Sequence, residues 1–123
     1  MRFVVTGAGG FLGSSVVRQL LAETDHDVVA VSSQTDGELA AQLERAPYAA
    51  LRRFPEVHPR TQVLEAGFLR DGDVVINCAF PWNRGGRAMA DGLEYLTRLF
   101  QSAHAVDLHT FVNVSSQSVY SQA

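Results

Sequence analysis

Lysine is absent from the 123-residue chain, and all ten basic residues are arginine. Residues 1–123 therefore supply no lysine ammonium group for catalysis, no lysine for a Schiff base and no P-loop lysine. Cysteine occurs once, at Cys78, which excludes an internal disulfide and leaves no cysteine cluster for a metal ion. We predict no metal site.

The chain also lacks a strong excess of either charge and any long hydrophobic run. Its formal net charge is −3, and its basic residues form no stripe, so we expect no nucleic-acid partner. No apolar stretch approaches the roughly 20 residues that cross a bilayer, and the N-terminus does not resemble a signal peptide. With 46% hydrophobic residues, we predict one globular domain, residues 1–123, with no membrane partner and a cytoplasmic location.

The first thirteen residues carry the most informative pattern. An apolar run at Phe3–Val5 stops at a glycine cluster, and apolar residues at helical spacing follow from about Phe11 to Ala22. This order indicates a strand, a tight turn and a helix. Such a turn directs backbone N–H groups and the positive end of the helix dipole at one point, which suits a pyrophosphate. We therefore predict that the chain begins with a dinucleotide-binding βαβ unit.

The glycine spacing differs from the common dinucleotide motif. The usual pattern is G-x-G-x-x-G, whereas Gly7, Gly10 and Gly13 form G-x-x-G-x-x-G. We expect Gly7 to allow a sharp exit from the strand and Gly10 to let a phosphate approach bare backbone. Gly13 should let the helix pack closely. The alternative is an ordinary glycine-rich turn between a strand and a helix.

The rest of the chain alternates between short apolar runs and helical patterns. Continuous apolar runs are typical of strands buried on both faces, and apolar residues at helical spacing indicate helices. The predicted strands are 28–31, 73–79 and 110–114, and the predicted helices are 38–45, 61–70 and 87–105. A third strand should lie within 48–60, but no pattern there places it. This alternation predicts an α/β fold, a Rossmann-type doubly wound parallel sheet of about five strands.

Ligands bind at the carboxyl ends of the strands in such a sheet, so the residues that follow each strand matter most. Ser32 and Ser33 follow the second strand, where an acidic residue would bind the adenosine ribose and favour NAD. The serines leave room for a 2′-phosphate, although no arginine is adjacent in the sequence. NAD and NADP both stay open, and we lean towards NADP.

Three segments together resemble one enzyme family. Thr6–Gly13 is similar to the opening of the extended short-chain dehydrogenase/reductases, the NAD-dependent epimerase/dehydratases. Asn77–Phe80 is similar to their Asn/His-x-Ala segment after the fourth strand. Ser115–Tyr120 resembles their Ser-Ser-x-x-Val-Tyr-Gly segment, with Ser121 in place of the glycine. Taken alone, the serine pair would be an ordinary strand exit, but the three segments occur in the family's order.

The resemblance implies NAD(P)-dependent hydride transfer at a carbinol or keto carbon of a small-molecule substrate, such as a sugar nucleotide. It implies that Ser116 is catalytic, because its hydroxyl would hydrogen-bond the substrate oxygen. Cys78 has no histidine or asparagine at a spacing that supports a thiol nucleophile. The implied cofactor-binding residues are Gly7, Gly10, Phe11, Leu12, Gly13, Ser32, Ser33, Cys78, Ala79, Phe80 and Ser115.

One catalytic motif of the family does not occur within residues 1–123. The family's proton donor belongs to a Tyr-x-x-x-Lys pair on a later helix, and the chain has no lysine. We therefore expect an N-terminal portion, truncated after about the fifth strand and inactive by itself. The alternative is a non-catalytic NAD(P)-binding module or redox sensor. The family's dimer interface implies a homodimer through the helix around residues 87–105.

Overall fold

The structure, a computed structural model, describes residues 1–32, 53–79 and 86–114, with the backbone alone at 86–89. The strands are β1 (Arg2–Thr6), β2 (Asp27–Ser32), β3 (Glu56–Pro59), β4 (Val74–Asn77) and β5 (Thr110–Asn113). The helices are α1 (Phe11–Glu23), a 3-10 helix (Arg60–Leu64) and α2 (Gly86–His104).

The five strands form one parallel sheet in the order β3-β2-β1-β4-β5. β1 lies at the centre, and the chain crosses from one side of it to the other between β3 and β4. This reversal is the topological switch point of a doubly wound fold, so the predicted Rossmann-type sheet is confirmed. Ligands bind in such folds outside the carboxyl ends of the strands that flank the switch point, which here are β1 and β4.

The central strands bury side chains on both faces of the sheet, because successive residues of a strand point to opposite sides. Val4 and Val75 lie on the face that α2 covers, where Leu99 is fully buried. Val5 lies on the opposite face with Val17 of α1. The continuous apolar runs of the central strands are therefore buried from two sides, as predicted.

The predicted helix at 61–70 is wrong. The chain forms only the 3-10 helix at Arg60–Leu64 and then turns, with Gly67 at a φ of +84°. A positive φ is incompatible with a right-handed helix and is easily adopted by glycine, so the helical pattern ends there. The turns still carry Val63 and Leu69 into the core beneath α2.

The other described elements differ from the prediction only at their ends. β4 begins at Val74 rather than Asp73 and ends at Asn77 rather than Ala79. The third strand, which the sequence pattern did not place, is β3. The predicted helix at 38–45 lies outside the described residues. Over the described ranges, no helix is long and apolar enough to span a membrane.

Candidate dinucleotide-binding site

The turn after β1 is built around Gly7. Its φ of +69° is one that residues with a side chain rarely adopt. A Cβ at this position would lie 2.6 Å from the backbone nitrogen of Ala79 and 2.7 Å from the carbonyl carbon of Cys78. Glycine is therefore required both by the turn and by the contact between the turn and the loop after β4. The expected sharp exit from the strand is present.

Gly13 and Gly10 have different surroundings. A Cβ on Gly13 would lie 2.0 Å from the carbonyl oxygen of Gly7, so only glycine lets α1 begin this close to the turn. Among the described residues, a Cβ on Gly10 would meet only the Gly7 carbonyl oxygen, at 3.4 Å. The space beside Gly10 is otherwise open, which is what the approach of a phosphate to bare backbone requires.

The first turn of α1 presents backbone N–H groups to the open space beside Gly10. The first hydrogen bond into the helix runs from Ser14 N to Gly10 O at 2.9 Å, so the N–H groups of Phe11, Leu12 and Gly13 have no acceptor within the helix. α1 has no side-chain N-cap and no acidic residue in its first turn. Its positive dipole end is therefore available to an external anion, and these features fit the pyrophosphate of a dinucleotide.

A row of polar side chains crosses the carboxyl ends of the neighbouring strands. Thr6, Asn77 and Asn113 lie directly beside one another in the register of β1, β4 and β5. The Thr6 hydroxyl donates to Asn77 Oδ1, and so does the backbone N–H of Ala79 at 3.3 Å. Asn77 Nδ2 donates to Asn113 Oδ1 at 2.8 Å. Because Thr6 and Asn77 are fully buried, this row fixes the loop after β4 relative to the glycine turn.

None of these three residues is among the predicted site residues, although Thr6 and Asn77 belong to segments that resemble the family. The available signal was a polar residue at the last position of three strands. A strand pattern does not reveal register, however, so the pattern alone could not pair Thr6 with Asn77, or Asn77 with Asn113.

Cys78 and Ala79 follow β4 and lie against Gly7. The Cys78 backbone N–H donates to the carbonyl of Thr6 at 3.0 Å. The residue is half-buried, and burial raises the pKa of its thiol. The thiol therefore stays protonated at neutral pH and is a poor nucleophile, which agrees with the absence of a supporting base in the sequence.

The remaining predicted residues are distributed as follows. Ser32 ends β2 and is buried, whereas the side chains of Phe11 and Leu12 are 92% and 46% exposed. The predicted cofactor-binding residues Ser33, Phe80 and Ser115 and the predicted catalytic Ser116 lie outside the described residues. Within the part of the chain that is described, no group of three or more His, Cys, Asp or Glu side chains is placed to hold a metal ion.

Comparison with known proteins agrees with this geometry. The model of the NAD dependent epimerase/dehydratase family matches residues 3–123. ADP-L-glycero-D-manno-heptose-6-epimerase from Pseudomonas aeruginosa is 32% identical over 124 residues, which cover 98% of this chain and 36% of that protein. A low-salt glycan biosynthesis protein from Haloferax volcanii is 29% identical over 132 residues, which cover 99% of this chain and 41% of that protein.

A solved structure shows the same fold. It is a mutant UDP-glucuronic acid 4-epimerase from Bacillus cereus in complex with UDP-4-deoxy-4-fluoro-glucuronic acid and NAD. The TM-score is 0.70 at 25% sequence identity, and the match covers 98% of this chain and 41% of that chain.

The chain spans 36–41% of the length of these curated relatives. The family match nevertheless extends over nearly the whole sequence, and it includes the glycine turn and the loop after β4. The strand order and the open, uncapped turn at the start of α1 agree with it. The chain belongs to the NAD-dependent epimerase/dehydratase family.

Proposed function

We propose that this chain binds NAD or NADP across the carboxyl edge of its sheet, with the pyrophosphate at the turn formed by Gly7, Gly10 and Gly13. The observation that carries the proposal is this turn. Two of its glycines have no room for a Cβ, and the third has open space beside it. The uncapped first turn of α1 offers N–H donors to the same space.

The two halves of the dinucleotide would extend to opposite sides of β1. The adenosine half would lie towards the end of β2, near Ser32. The nicotinamide half would lie towards β4, near Ala79, whose small side chain suits the close approach of a ligand. Asn77 holds the loop in place there, because its Oδ1 accepts the Ala79 N–H at 3.3 Å.

For the complete protein we propose NAD(P)-dependent hydride transfer at a carbinol or keto carbon of a sugar nucleotide. The nicotinamide ring, when bound, supplies the hydride acceptor and donor for such a reaction. The support comes from the family, whose matched relatives include a heptose epimerase and a UDP-glucuronic acid epimerase. Ser116 would hydrogen-bond the substrate oxygen, a role that remains a prediction from the family motif.

The preference for NADP over NAD also remains a proposal. An acidic side chain at the end of β2 would bind the ribose hydroxyls of NAD and repel a 2′-phosphate. Ser32 is uncharged and buried at this position, so it does neither. The family is NAD-dependent by its description. Clearly tighter binding of NADH than of NADPH would therefore correct the preference without affecting the proposed dinucleotide site.

The variant Gly10→Ala tests the pyrophosphate site directly. Gly10 has a φ of −79° and a ψ of 172°, which alanine adopts freely, and a Cβ finds space there in the free protein. We expect this variant to fold and to bind NADH and NADPH about tenfold more weakly or worse, because the methyl group occupies the space of the phosphate. Isothermal titration calorimetry measures both dissociation constants.

The matched control is Gln19→Ala, which changes an exposed side chain further along α1. It should bind both dinucleotides like the wild type. Thermal unfolding of each variant establishes that any loss of affinity does not reflect loss of the fold. If Gly10→Ala bound NADH and NADPH as tightly as the wild type, the pyrophosphate would not lie at this turn.

A second candidate is dinucleotide binding without hydride transfer, as in a non-catalytic NAD(P)-binding module or redox sensor. The described residues support it as well as they support the enzyme, because the glycine turn and the uncapped start of α1 are features for binding a dinucleotide and none of them transfers a proton. Incubation of the complete protein with NAD and nucleotide sugars, followed by chromatography, separates the two candidates, because residues 1–123 alone are expected to be inactive in either case. Turnover supports the enzyme, and binding without turnover supports the module.

A further inference from the structure

The side of the sheet that would receive the adenosine half carries an arginine that the proposed function does not use. β3 pairs with β2 in parallel, and Ser32 lies opposite Pro59 in this register. Arg60 follows Pro59 directly and begins the 3-10 helix. A guanidinium-bearing residue therefore stands at the carboxyl edge beside the end of β2, although it is distant from Ser32 in the sequence.

Arg60 is supported at this edge by Tyr95 of α2. The guanidinium lies over the Tyr95 ring, with Cζ 4.2 Å from the ring centroid. The Tyr95 hydroxyl donates to the backbone carbonyl of Arg60 at 3.0 Å. Tyr95 is only 7% exposed, so the core fixes the ring on which the guanidinium stacks. Stacking uses the face of the guanidinium and leaves its in-plane N–H donors available to another ligand.

The positive charge of Arg60 has no carboxylate within ion-pair distance among the described residues, and the residue is exposed. Arg2 and Arg53 differ, because both act at the amino edge of the sheet. Arg2 forms an ion pair with Asp73 at 2.8 Å. Arg53 donates to backbone carbonyls at and beyond the end of α1, at 2.5 and 2.7 Å. Arg60 therefore combines an uncommitted charge with a position at the ligand-binding edge.

We infer that Arg60 binds the 2′-phosphate of NADP. This inference rests on the proposed function, in which the adenosine half lies near the end of β2. A 2′-phosphate is strongly anionic, and a planar guanidinium can donate two parallel N–H bonds to it. Ser32 carries no charge that would repel the phosphate. NAD has a neutral hydroxyl at this place and gains much less from the same cation.

The variant Arg60→Gln removes the charge and keeps a polar side chain. We expect the dissociation constant of NADPH to rise about tenfold or more, because charge-assisted hydrogen bonds are lost. That of NADH should change less than about twofold. Titrations that follow the fluorescence of reduced nicotinamide give both constants without turnover. Adenosine 2′,5′-bisphosphate and adenosine 5′-monophosphate, which differ by the same phosphate, should show the same contrast.

Two further variants serve as controls. Arg70→Gln makes the same change of charge at an exposed residue near the amino edge, and it should leave both dissociation constants unchanged. Arg60→Lys keeps the charge without the planar donor set and should restore part of the NADPH affinity. Circular dichroism and thermal unfolding check the fold of each variant, because Arg60 also stacks on Tyr95.

The possible outcomes separate this inference from the proposed function. An equal loss of NADPH and NADH affinity in Arg60→Gln, or a loss of neither, would overturn the inference. A wild-type protein that binds NADH but not NADPH would also overturn it and leave the dinucleotide site intact. If the wild type binds neither dinucleotide, the proposed function fails and the inference fails with it.

Discussion

At the scale of single residues, Tyr95 connects the core to the carboxyl edge. Its ring is buried on the α2 face of the sheet, and its hydroxyl donates to the carbonyl of Arg60. Burial disfavours the charged phenolate and raises the pKa of Tyr95 to about 12, and the nearby Arg60 cation offsets only part of this shift. The phenol therefore stays protonated in the folded protein at a pH where it ionises in the unfolded chain.

This pKa predicts a loss of stability at alkaline pH. The unfolded chain has a tyrosine pKa of about 10, so above this pH it binds fewer protons than the folded protein, and the free energy of unfolding falls as pH rises. The contribution of Tyr95 is fully present below about pH 10 and is lost by about pH 12, which amounts to about 3 kcal/mol. Urea unfolding across this range measures the slope.

The variant Tyr95→Phe isolates this contribution. It should remove the part of the pH dependence that Tyr95 contributes in this window, although it also loses the hydrogen bond to Arg60, at a cost of about 1 kcal/mol at neutral pH. Effects from Cys78, whose thiol pKa is also raised, and from Tyr48 and Tyr120, which lie outside the described residues, are common to both proteins and cancel in the difference. An unchanged slope in the variant would show that Tyr95 does not titrate with a raised pKa.

Some site residues were predictable from the sequence, and others became evident only in the fold. Gly7 and Gly13 follow an apolar run at a regular spacing, which reflects requirements of the backbone itself. Arg60 gave no such signal, because its neighbour Ser32 is recognisable only from the register of β2 and β3. Asn113 could not be predicted as a site residue for the same reason, since its hydrogen-bond partner Asn77 lies on another strand.

At the scale of elements, the junction of β1 and α1 depends on direct backbone contact. A Cβ on Gly13 would lie 2.0 Å from the Gly7 carbonyl oxygen and 2.7 Å from its carbon. Neither atom can move by a side-chain rotation, because both belong to the backbone. We expect Gly13→Ala to lower the free energy of unfolding by about 3 kcal/mol, as severe overpacking does. Urea denaturation followed by circular dichroism measures the loss.

Gly10→Ala provides the contrast for this measurement. Its Cβ would meet the Gly7 carbonyl oxygen at 3.4 Å, so we expect a loss of about 1 kcal/mol or less, the scale of a change at a helix N-cap. The two variants therefore separate the glycine that α1 needs in order to begin from the glycine assigned to the ligand. Equal losses of stability would mean that the contact at Gly13 does not decide where α1 begins.

The elements between β2 and β4 were the hardest to predict. β3 has only four residues, and both Glu56 and Pro59 are exposed, so this edge strand shows no apolar run. Val63 and Leu69 are spaced like residues of a helix but reach the core through a 3-10 helix and turns. In this region the pairing of β3 with β2 determines the structure, and this pairing cannot be predicted from the pattern of side chains.

At the scale of the whole molecule, the apolar runs determine the architecture. Strands that are buried on both faces need a covering layer on each side, which is why their alternation with helical patterns predicts a doubly wound sheet. The proposed dinucleotide site lies at the carboxyl edge of this sheet and can be tested on the chain itself. Hydride transfer cannot be tested in this way, because the chain spans only 36–41% of the length of its curated relatives and the reaction is proposed from the family alone.

The two sides of α2 have different environments. Tyr95 and Leu99 pack against the sheet. Leu93 and Phe100, which lie two turns apart on the same side of the helix, are 48% and 42% exposed. The Phe100 ring lies 5.1 Å from the ring of Phe111, which extends the apolar surface towards β5. Because an apolar surface of this kind often marks an association site, we propose that the chain forms a homodimer through this side of α2.

The double variant Leu93→Glu with Phe100→Glu should prevent this association, because dimerisation would bury two carboxylates of each protomer without partners. Gel filtration with light scattering over a range of concentrations measures the result. The wild type should approach twice the monomer mass as concentration rises, and the double variant should stay monomeric. The matched control, Arg98→Gln with Gln101→Glu, makes the same change in net charge at residues that line a groove on another side of α2, and it should dimerise. A wild type that is monomeric throughout would exclude the dimer, and a dimer that survives the double substitution would place the interface elsewhere.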